Sequence, residues 1–206
     1  MTQDRRAHWD RVYETRGPTA VSWYQENPAR SFESIVATGV SRSAPIIDVG
    51  GGASRLVDVL LEAGFSDVTV LDVSAAALEL VRERLGRRAS VVTLVEADVT
   101  EFSPTRRFAV WHDRAVFHFL TAARDRERCV AALHRALAPG GHVIIASFGL
   151  KGPVRCSGLD VVRYSPGSLA AELGGSFRLV DSAEEVHTTP AGAEQQFVYC
   201  RFRAEG

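Results

Sequence analysis

Apolar residues in this chain form short continuous runs separated by segments in which they recur at helical spacing. The runs cover residues 46–49, 68–72, 91–95, 108–112 and 142–148, and each has the length of a buried strand. The intervening spacing predicts helices at about residues 30–37, 55–63, 75–85 and 124–137. Alternating strands and helices are typical of an α/β fold with a mostly parallel sheet.

The pattern changes in the last quarter of the chain. After Phe148 a stretch bearing Gly and Pro extends through Gly158, and a short helix is predicted after Pro166. Two apolar-rich runs, 177–186 and 195–202, are joined by turn-forming residues at 188–192 and predict a β-hairpin. With 206 residues, of which 46% are hydrophobic, the chain is expected to form one domain.

Three of the predicted strands end in an acidic residue. Asp48 precedes three consecutive glycines, Asp72 closes the second strand, and Asp98 follows the third. The carboxyl ends of parallel strands line one crevice, so the three carboxylates are expected to converge on one ligand. Glycines at the first strand end let the backbone approach that ligand closely.

These segments resemble the class I S-adenosylmethionine-dependent methyltransferases. The resemblance rests on Asp48-Val-Gly-Gly-Gly-Ala-Ser54, on Asp72, on Ala97-Asp98-Val99 and on Leu137-Ala-Pro-Gly-Gly141, which together span roughly residues 40–150. It implies a three-layer Rossmann-like fold with a seven-stranded sheet closed by a reversed strand. It also implies that S-adenosylmethionine binds, that S-adenosylhomocysteine is the product, and that no metal is needed. One departure is Ser54, which stands where the family usually has a third glycine and whose hydroxyl can cap the following helix.

The resemblance assigns roles to individual positions. The glycine-rich loop, the ribose-binding acid and the adenine contact correspond to Asp48, Gly50, Gly51, Gly52, Ser54, Asp72, Val73, Asp98 and Val99. It also divides the domain 1–206 into an N-terminal helix and lid (1–28), a cofactor-binding half (29–148) and an acceptor-side half (149–206).

Two other interpretations of the glycine loop compete. A nicotinamide-dinucleotide site also needs an acid about 20 residues after its glycines, which Asp72 supplies. However, Arg55 falls at the position of the third glycine, and Asp48 is poorly placed beside a pyrophosphate. A merely structural turn would leave Asp72 and Asp98 as coincidences.

The N-terminal segment is rich in aromatic residues. Trp9 and Tyr13 are four residues apart, and Trp23 and Tyr24 lie between Gly17-Pro18 and Asn27-Pro28. As a lid, these rings would cover the cationic sulfonium and exclude water, so Trp9, Tyr13 and Trp23 are assigned to the cofactor. Alternatively, Trp9 and Tyr13 only attach a helix to the core.

The fourth strand is expected to end near His112 or Asp113, where this fold binds the methyl acceptor. Arg114 is the candidate for orienting an anionic acceptor, and His118 is the candidate general base. Asp113 is assigned to the cofactor and acceptor side, whereas His112 is expected to be an ordinary strand residue. Trp111-Asp113-Arg114 is similar to a stretch of thiopurine-type S-methyltransferases, although His112 interrupts it. His8-Trp-Asp-x-Val-Tyr13, in contrast, is similar to a subgroup of protein-lysine methyltransferases.

Charge and composition limit the partners. The formal net charge is −1 with scattered basic residues, which indicates neither a nucleic-acid nor a membrane surface. With neither an apolar leader nor a spanning run, the protein is expected to be cytoplasmic, and its three cysteines are expected to be reduced. The sequence therefore predicts methyl transfer to an S or N nucleophile of a small molecule. The alternatives are a protein-lysine methyltransferase and a non-catalytic partner subunit that binds S-adenosylmethionine.

Overall fold

The computed structural model describes residues 2–205, and a twisted sheet of seven strands forms its centre. In chain order the strands are β1 Ile46–Val49, β2 Val68–Asp72, β3 Val92–Glu96, β4 Phe108–Arg114, β5 Leu137–Phe148, β6 Arg155–Cys156, β7 Leu159–Asp160, β8 Phe177–Thr188 and β9 Glu194–Ala204. The large sheet has the order β3-β2-β1-β4-β5-β9-β8, and β6 pairs only with β7. Within the large sheet β9 alone runs in the direction opposite to the other six strands. The predicted fold class and C-terminal hairpin are confirmed.

Six α-helices of the described chain surround or cap this sheet. They are α1 Thr2–Arg16, α2 Ala29–Val36, α3 Leu56–Glu62, α4 Ala75–Leu85, α5 Ala123–Ala136 and α6 Pro166–Leu173. The helices predicted from apolar spacing each begin and end within one residue of α2, α3, α4 and α5. The helix at the N-terminus corresponds to the segment that the Trp9 and Tyr13 pair suggested.

Two strands differ from the prediction in a way that matters for the site. The strand β5 begins at Leu137 and not at residue 142, because Leu137 pairs with Phe108 before the register shifts. The strand β4 continues to Arg114 and not only to His112. Since side chains alternate along a strand, His112 and Arg114 share one face of β4, and Asp113 points to the other.

Apolar residues on the two faces of the sheet form two separate cores. The first core lies against α2, α3 and α4 and includes Ile35, Leu60 and Val81. The second lies against α5 and α6 and includes Leu133 and Leu169. Burial of strand residues on both faces explains why the strands appear in the sequence as continuous apolar runs and not as alternating ones.

The helix α1 crosses the carboxyl ends of the strands. Asp10 accepts a hydrogen bond of 2.6 Å from the Ser74 hydroxyl, which precedes α4. Arg6 forms an ion pair of 2.9 Å with Glu96 at the end of β3. The helix is thereby attached to the edge of the sheet at which the three acidic residues were predicted to meet.

Residues 17–28, the lid segment, connect α1 to α2. The His187 Nε2 lies 2.8 Å from the Ser22 carbonyl oxygen, and the Gln25 amide donates to Glu185 at 3.4 Å. These contacts attach the lid segment to strand β8 of the hairpin. Among residues 2–205, no helix has the length and apolar character needed to cross a membrane.

Candidate functional site

A cavity, the main cavity, opens at the carboxyl ends of the strands. Its walls come from α1, from the lid segment, from the ends of β1, β2 and β4, and from the segments that follow β3 and β4. The predicted cofactor residues that line it are Trp9, Tyr13, Trp23, Gly50, Asp72, Val73, Asp98 and Val99. The structure therefore brings together residues from five separate segments of the chain.

The glycine loop between β1 and α3 packs too tightly for side chains. Gly50 has φ +64°, and a Cβ there would lie 1.9 Å from Val116 Cγ2. Gly52 has φ +36°, and its Cβ would lie 2.8 Å from both Asp72 Oδ2 and the Tyr13 hydroxyl oxygen. The glycines are thus required both by the backbone conformation and by the close approach of the neighbouring walls.

Ser54, at the end of this loop, accepts a hydrogen bond of 3.1 Å from the Leu56 amide. The serine that replaces the usual glycine therefore contacts the first residue of α3, but the N-cap residue of this helix is Arg55, which makes no side-chain capping hydrogen bond, so Ser54 is not the predicted N-cap.

Asp72 presents a buried carboxylate to the main cavity. Its Oδ1 accepts a hydrogen bond of 2.9 Å from the Ser74 amide. Burial raises the pKa of Asp72 to about 7, and the amides of Ser74, Val73 and Gly52 only partly oppose this shift. A ligand that donates hydrogen bonds to this carboxylate would compensate for its lost hydration.

Asp98 is held in place by two segments of the chain. Its Oδ1 accepts hydrogen bonds of 2.8 Å from both the amide and the hydroxyl of Thr100. The Arg5 Nη1 lies 3.1 Å from Asp98 Oδ2, and Arg5 also contacts Asp125. Arg5 lines the main cavity, although sequence reasoning did not identify it. Arg5 and Asp98 are 93 positions apart in the sequence, so no local sequence pattern indicates that they are in contact.

Aromatic rings form the side of the main cavity that faces α1. The Trp9 ring centroid lies 5.5 Å from that of Trp23 and 4.9 Å from that of Phe119, both in edge-to-face arrangements. Tyr13 lies 6.2 Å from Trp23, and burial raises the pKa of its hydroxyl, which stays neutral. Trp9 and Tyr13 therefore attach α1 and also line the main cavity.

A second, smaller cavity, the side compartment, adjoins the main cavity. The two share Trp23, Gly50 and Arg114 as lining residues. The side compartment is also lined by Asp48, Gly51 and Ser54 of the glycine loop region, by Tyr24 and Gln25 of the lid segment, and by His112. The predicted site residues are thus distributed over two connected spaces.

Asp48 and His112 form a buried pair in the side compartment. They are directly opposite each other in the β1–β4 register, and Asp48 Oδ1 lies 2.7 Å from His112 Nδ1. Asp48 is 3% exposed and His112 is 2% exposed. The His112 Nε2 is buried and has no hydrogen-bond partner among the described residues. The expectation that His112 is an ordinary strand residue did not include this pairing with Asp48.

The guanidinium of Arg114 is fixed at the boundary of the two cavities. Its Nε donates to the Tyr199 hydroxyl at 2.9 Å, and its Nη1 donates to the Trp23 carbonyl at 2.9 Å. The group also lies 4.5 Å from the centroid of the Phe197 ring. Its Nη2 is buried without a hydrogen-bond partner, and no carboxylate in the described part of the chain forms an ion pair with Arg114.

Asp113 and His118 lie outside both cavities. Asp113 accepts hydrogen bonds from the amides of Val116 and Phe117 at 3.1 and 3.3 Å, and burial raises its pKa to about 7. It closes the turn that follows β4. The His118 ring stacks on Phe148 at 4.4 Å, and burial lowers its pKa to about 3. The structure therefore does not bring the predicted base His118, or Asp113, to the ligand space.

The described residues contain no group of three or more His, Cys, Asp or Glu side chains that could hold a metal ion. The three cysteines are free and buried. The two cavities are lined by carboxylates, one histidine, two arginines and aromatic rings.

Residues 46–141 match a protein-family model described as a methyltransferase domain. The chain is also similar to the eEF1A lysine and N-terminal methyltransferase of Mus musculus, with 23% identity over 147 residues. That match covers 68% of this chain and 21% of the mouse protein, so the chain spans about a fifth of that relative.

Two solved structures share the fold over almost the whole chain. One was reported for the conversion of a disulfide bond into a thioacetal group during echinomycin biosynthesis. It has a TM-score of 0.80 at 19% identity and covers 98% of this chain and 92% of that chain. The other is the Burkholderia thailandensis 1,6-didemethyltoxoflavin-N1-methyltransferase with its substrate and S-adenosylhomocysteine bound. It has a TM-score of 0.68 at 21% identity and covers 99% and 85% of the two chains.

Proposed function

The chain belongs to the class I S-adenosylmethionine-dependent methyltransferases, and we propose that it methylates a small molecule with an anionic group beside its N or S nucleophile. The family assignment agrees with the resemblance that the glycine loop and the strand-end acids carry. The acceptor class is our inference from the side chains that line the two cavities.

The described residues fit the cofactor that the family uses. Asp72 offers acceptor oxygens to a pair of ribose hydroxyls, and Val73, Val99 and Leu120 provide apolar walls for an adenine ring. The Trp9, Tyr13 and Trp23 rings present aromatic faces that attract a cation such as a sulfonium. When bound, S-adenosylmethionine supplies a methyl group that the sulfonium has already activated. The protein must then orient the acceptor and exclude water.

The proposal that the acceptor is anionic rests on the environment of Arg114. Its guanidinium is held by Tyr199 and the Trp23 carbonyl, so one donor nitrogen remains free in a fixed direction. A half-buried cation without a counter-ion is unfavourable, and a bound carboxylate would remove that cost and form a charge-assisted hydrogen bond with the buried Nη2. Because Arg114 lines both cavities, an acceptor bound there would lie next to the cofactor.

A protein lysine is the second candidate acceptor. The mouse relative is named a lysine and N-terminal methyltransferase, and the N-terminal motif of this chain is similar to a protein-lysine subgroup. Against this candidate, an ammonium approaching the free side of Arg114 would meet a like charge at short range. The lid segment also covers the side compartment, which favours a compact acceptor over a side chain of a folded protein.

The test measures release of S-adenosylhomocysteine with four matched aromatic probes. 2-Mercaptobenzoate and 2-aminobenzoate each carry a carboxylate beside the nucleophile, whereas thiophenol and aniline lack it. We expect turnover of at least one carboxylate probe and much weaker turnover of its uncharged counterpart. A fifth arm supplies a protein lysate. Methylation of lysate protein without turnover of any small probe would overturn the proposal in favour of the lysine acceptor.

We also propose that the enzyme works in the cytoplasm without a metal ion, with neither nucleic acid nor membrane as a partner. This follows from the charge distribution and the side chains that line the cavities. Activity that persists after chelator treatment, and recovery of the protein in a cytosolic fraction, are the expected results.

A further inference from the structure

The pair formed by Asp48 and His112 has no task in the binding of a carboxylate or of the cofactor's nucleoside. We propose that it is a proton-accepting dyad for an amine acceptor, with His112 Nε2 as the base and Asp48 as its positioning partner. This inference rests on the proposed function and adds to it the identity of the base.

The hydrogen bond determines which ring nitrogen carries the proton. An ionised carboxylate only accepts hydrogen bonds, so the 2.7 Å contact with Asp48 Oδ1 requires a hydrogen on His112 Nδ1. In the neutral ring, Nε2 then bears a lone pair.

The position of Nε2 fits a base for the acceptor. His112 is 2% exposed and lines the side compartment, yet its Nε2 has no hydrogen-bond partner among the described residues. Arg114 follows two positions later on the same face of β4, so the proposed anion-binding group and the base flank one space. Leaving a buried lone pair unsatisfied is unfavourable, and the N–H of an acceptor would satisfy it.

With His112 as the base, every bond, electron pair and proton of the methyl transfer is accounted for. The lone pair of the acceptor nitrogen forms the new N–C bond, the S–C bond breaks with its electron pair remaining on sulfur, and the acceptor's N–H proton passes to His112 Nε2. The Nδ1–H bond to Asp48 persists throughout, and solvent removes the proton from Nε2 afterwards. A thiolate acceptor has already lost its proton and needs no such transfer.

The chain contains another buried histidine that does not meet these requirements. His118 is enclosed by Phe148 and Phe119 and lines neither cavity. Its Nδ1 accepts from the Phe148 amide at 3.3 Å, and no carboxylate contacts its ring. His112 lies within β4 and lines the side compartment, so the proposed base is His112 and not His118, which follows the end of β4.

The first test compares amine and thiol probes in the variant His112→Asn. The asparagine amide can still donate to Asp48 from the position of Nδ1, but nothing replaces Nε2. We expect the ratio of 2-aminobenzoate turnover to 2-mercaptobenzoate turnover to fall about 10²-fold, the usual contribution of a general base. The matched control is His134→Asn, at an exposed position of α5, which should leave the ratio unchanged. Equal losses with both probes, or weaker cofactor binding in His112→Asn, would overturn the dyad.

The second test needs no turnover. Nitrogen NMR of the imidazole in the free protein should reveal His112 with its hydrogen on Nδ1 and a bare Nε2, and Asp48→Asn should weaken this preference. A hydrogen on Nε2 in the neutral wild-type ring contradicts the proposal. If the wild-type protein turns over neither carboxylate probe, the proposed acceptor class fails, and the tautomer then decides whether the dyad exists.

Discussion

Arg5 in α1 lies 3.1 Å from Asp98 Oδ2, and it joins the N-terminal helix to the segment after β3 across the main cavity. The same guanidinium contacts Asp125 at the start of α5. One arginine thereby bridges two buried carboxylates and holds the wall that would face an adenine ring. Cofactor affinity is therefore expected to depend on this contact as well as on the strand-end acids.

Arg5→Gln should weaken S-adenosylmethionine binding and lower the melting temperature. The change removes charge-assisted hydrogen bonds, which contribute roughly 1.5–3 kcal/mol each, and leaves two buried carboxylates without their cation. Calorimetry and thermal unfolding measure the two effects. Arg6→Gln is the control on the same helix, because Arg6 and Glu96 are both exposed and such pairs contribute about 0–1 kcal/mol. Equal effects of the two substitutions would mean that Arg5 acts only as a surface charge.

Asp72→Ala should reduce cofactor affinity by roughly 1.5–3 kcal/mol, the value for hydrogen bonds to a charged group. The carboxylate lines the main cavity, and Ser74 and Gly52 hold it from behind. The fold should tolerate the change, since burial penalises the charge that is removed. Isothermal titration measures the affinity, and an unchanged dissociation constant would mean that the ribose binds elsewhere.

Cofactor affinity should also weaken as the pH falls below about 7. Burial raises the pKa of Asp72 to about 7, so the carboxylate is largely protonated at pH 5 in the free protein. Ribose hydroxyls donate hydrogen bonds and favour the ionised form, so binding releases a proton below this pH. Affinity measured from pH 5 to pH 8 should therefore rise, and Asp72→Asn should abolish the rise. Asp113→Asn is the control, because its pKa is also about 7 but it lines neither cavity.

Acid sensitivity of the fold should depend on His118. Burial lowers its pKa to about 3 from the ordinary value of 6.5, so the unfolded chain binds a proton that the folded protein does not. The stability due to this residue is present above pH 6.5 and decreases as the pH falls toward 3. His118→Asn retains an acceptor for the Phe148 amide and removes the titration, so the variant should lose less stability between pH 7 and pH 5. Denaturant unfolding at the two pH values measures this, and an identical loss in both proteins would contradict it.

The sequence predicted the parts of this fold that depend on local patterns. Continuous apolar runs located the strands. Of the three acids at strand ends, Asp72 and Asp98 line the main cavity, whereas Asp48 lines the side compartment. Contacts that depend on how strands distant in the sequence are aligned in the sheet could not be predicted. Asp48 and His112 are 64 positions apart, and their pairing follows from the parallel alignment of β1 with β4. The fourth strand was predicted to end near His112 or Asp113, so Arg114 was not expected to belong to it. Because β4 continues to Arg114, His112 and Arg114 share one face of the strand.

Arg114→Lys should raise the KM for the carboxylate probe about tenfold or more while leaving the cofactor dissociation constant unchanged, because lysine lacks the planar fork that Arg114 uses. In the wild-type protein Nε and Nη1 are bound by Tyr199 and the Trp23 carbonyl, so the free Nη2 has a fixed direction. Tyr199→Phe removes one of these restraints and should produce a smaller rise in KM. Arg178→Lys, at an exposed pair with Glu205, is the control. If Arg114→Lys instead weakens cofactor binding with no change in KM, the guanidinium binds the carboxylate of the cofactor's methionine moiety, and the acceptor is held by other residues of the side compartment.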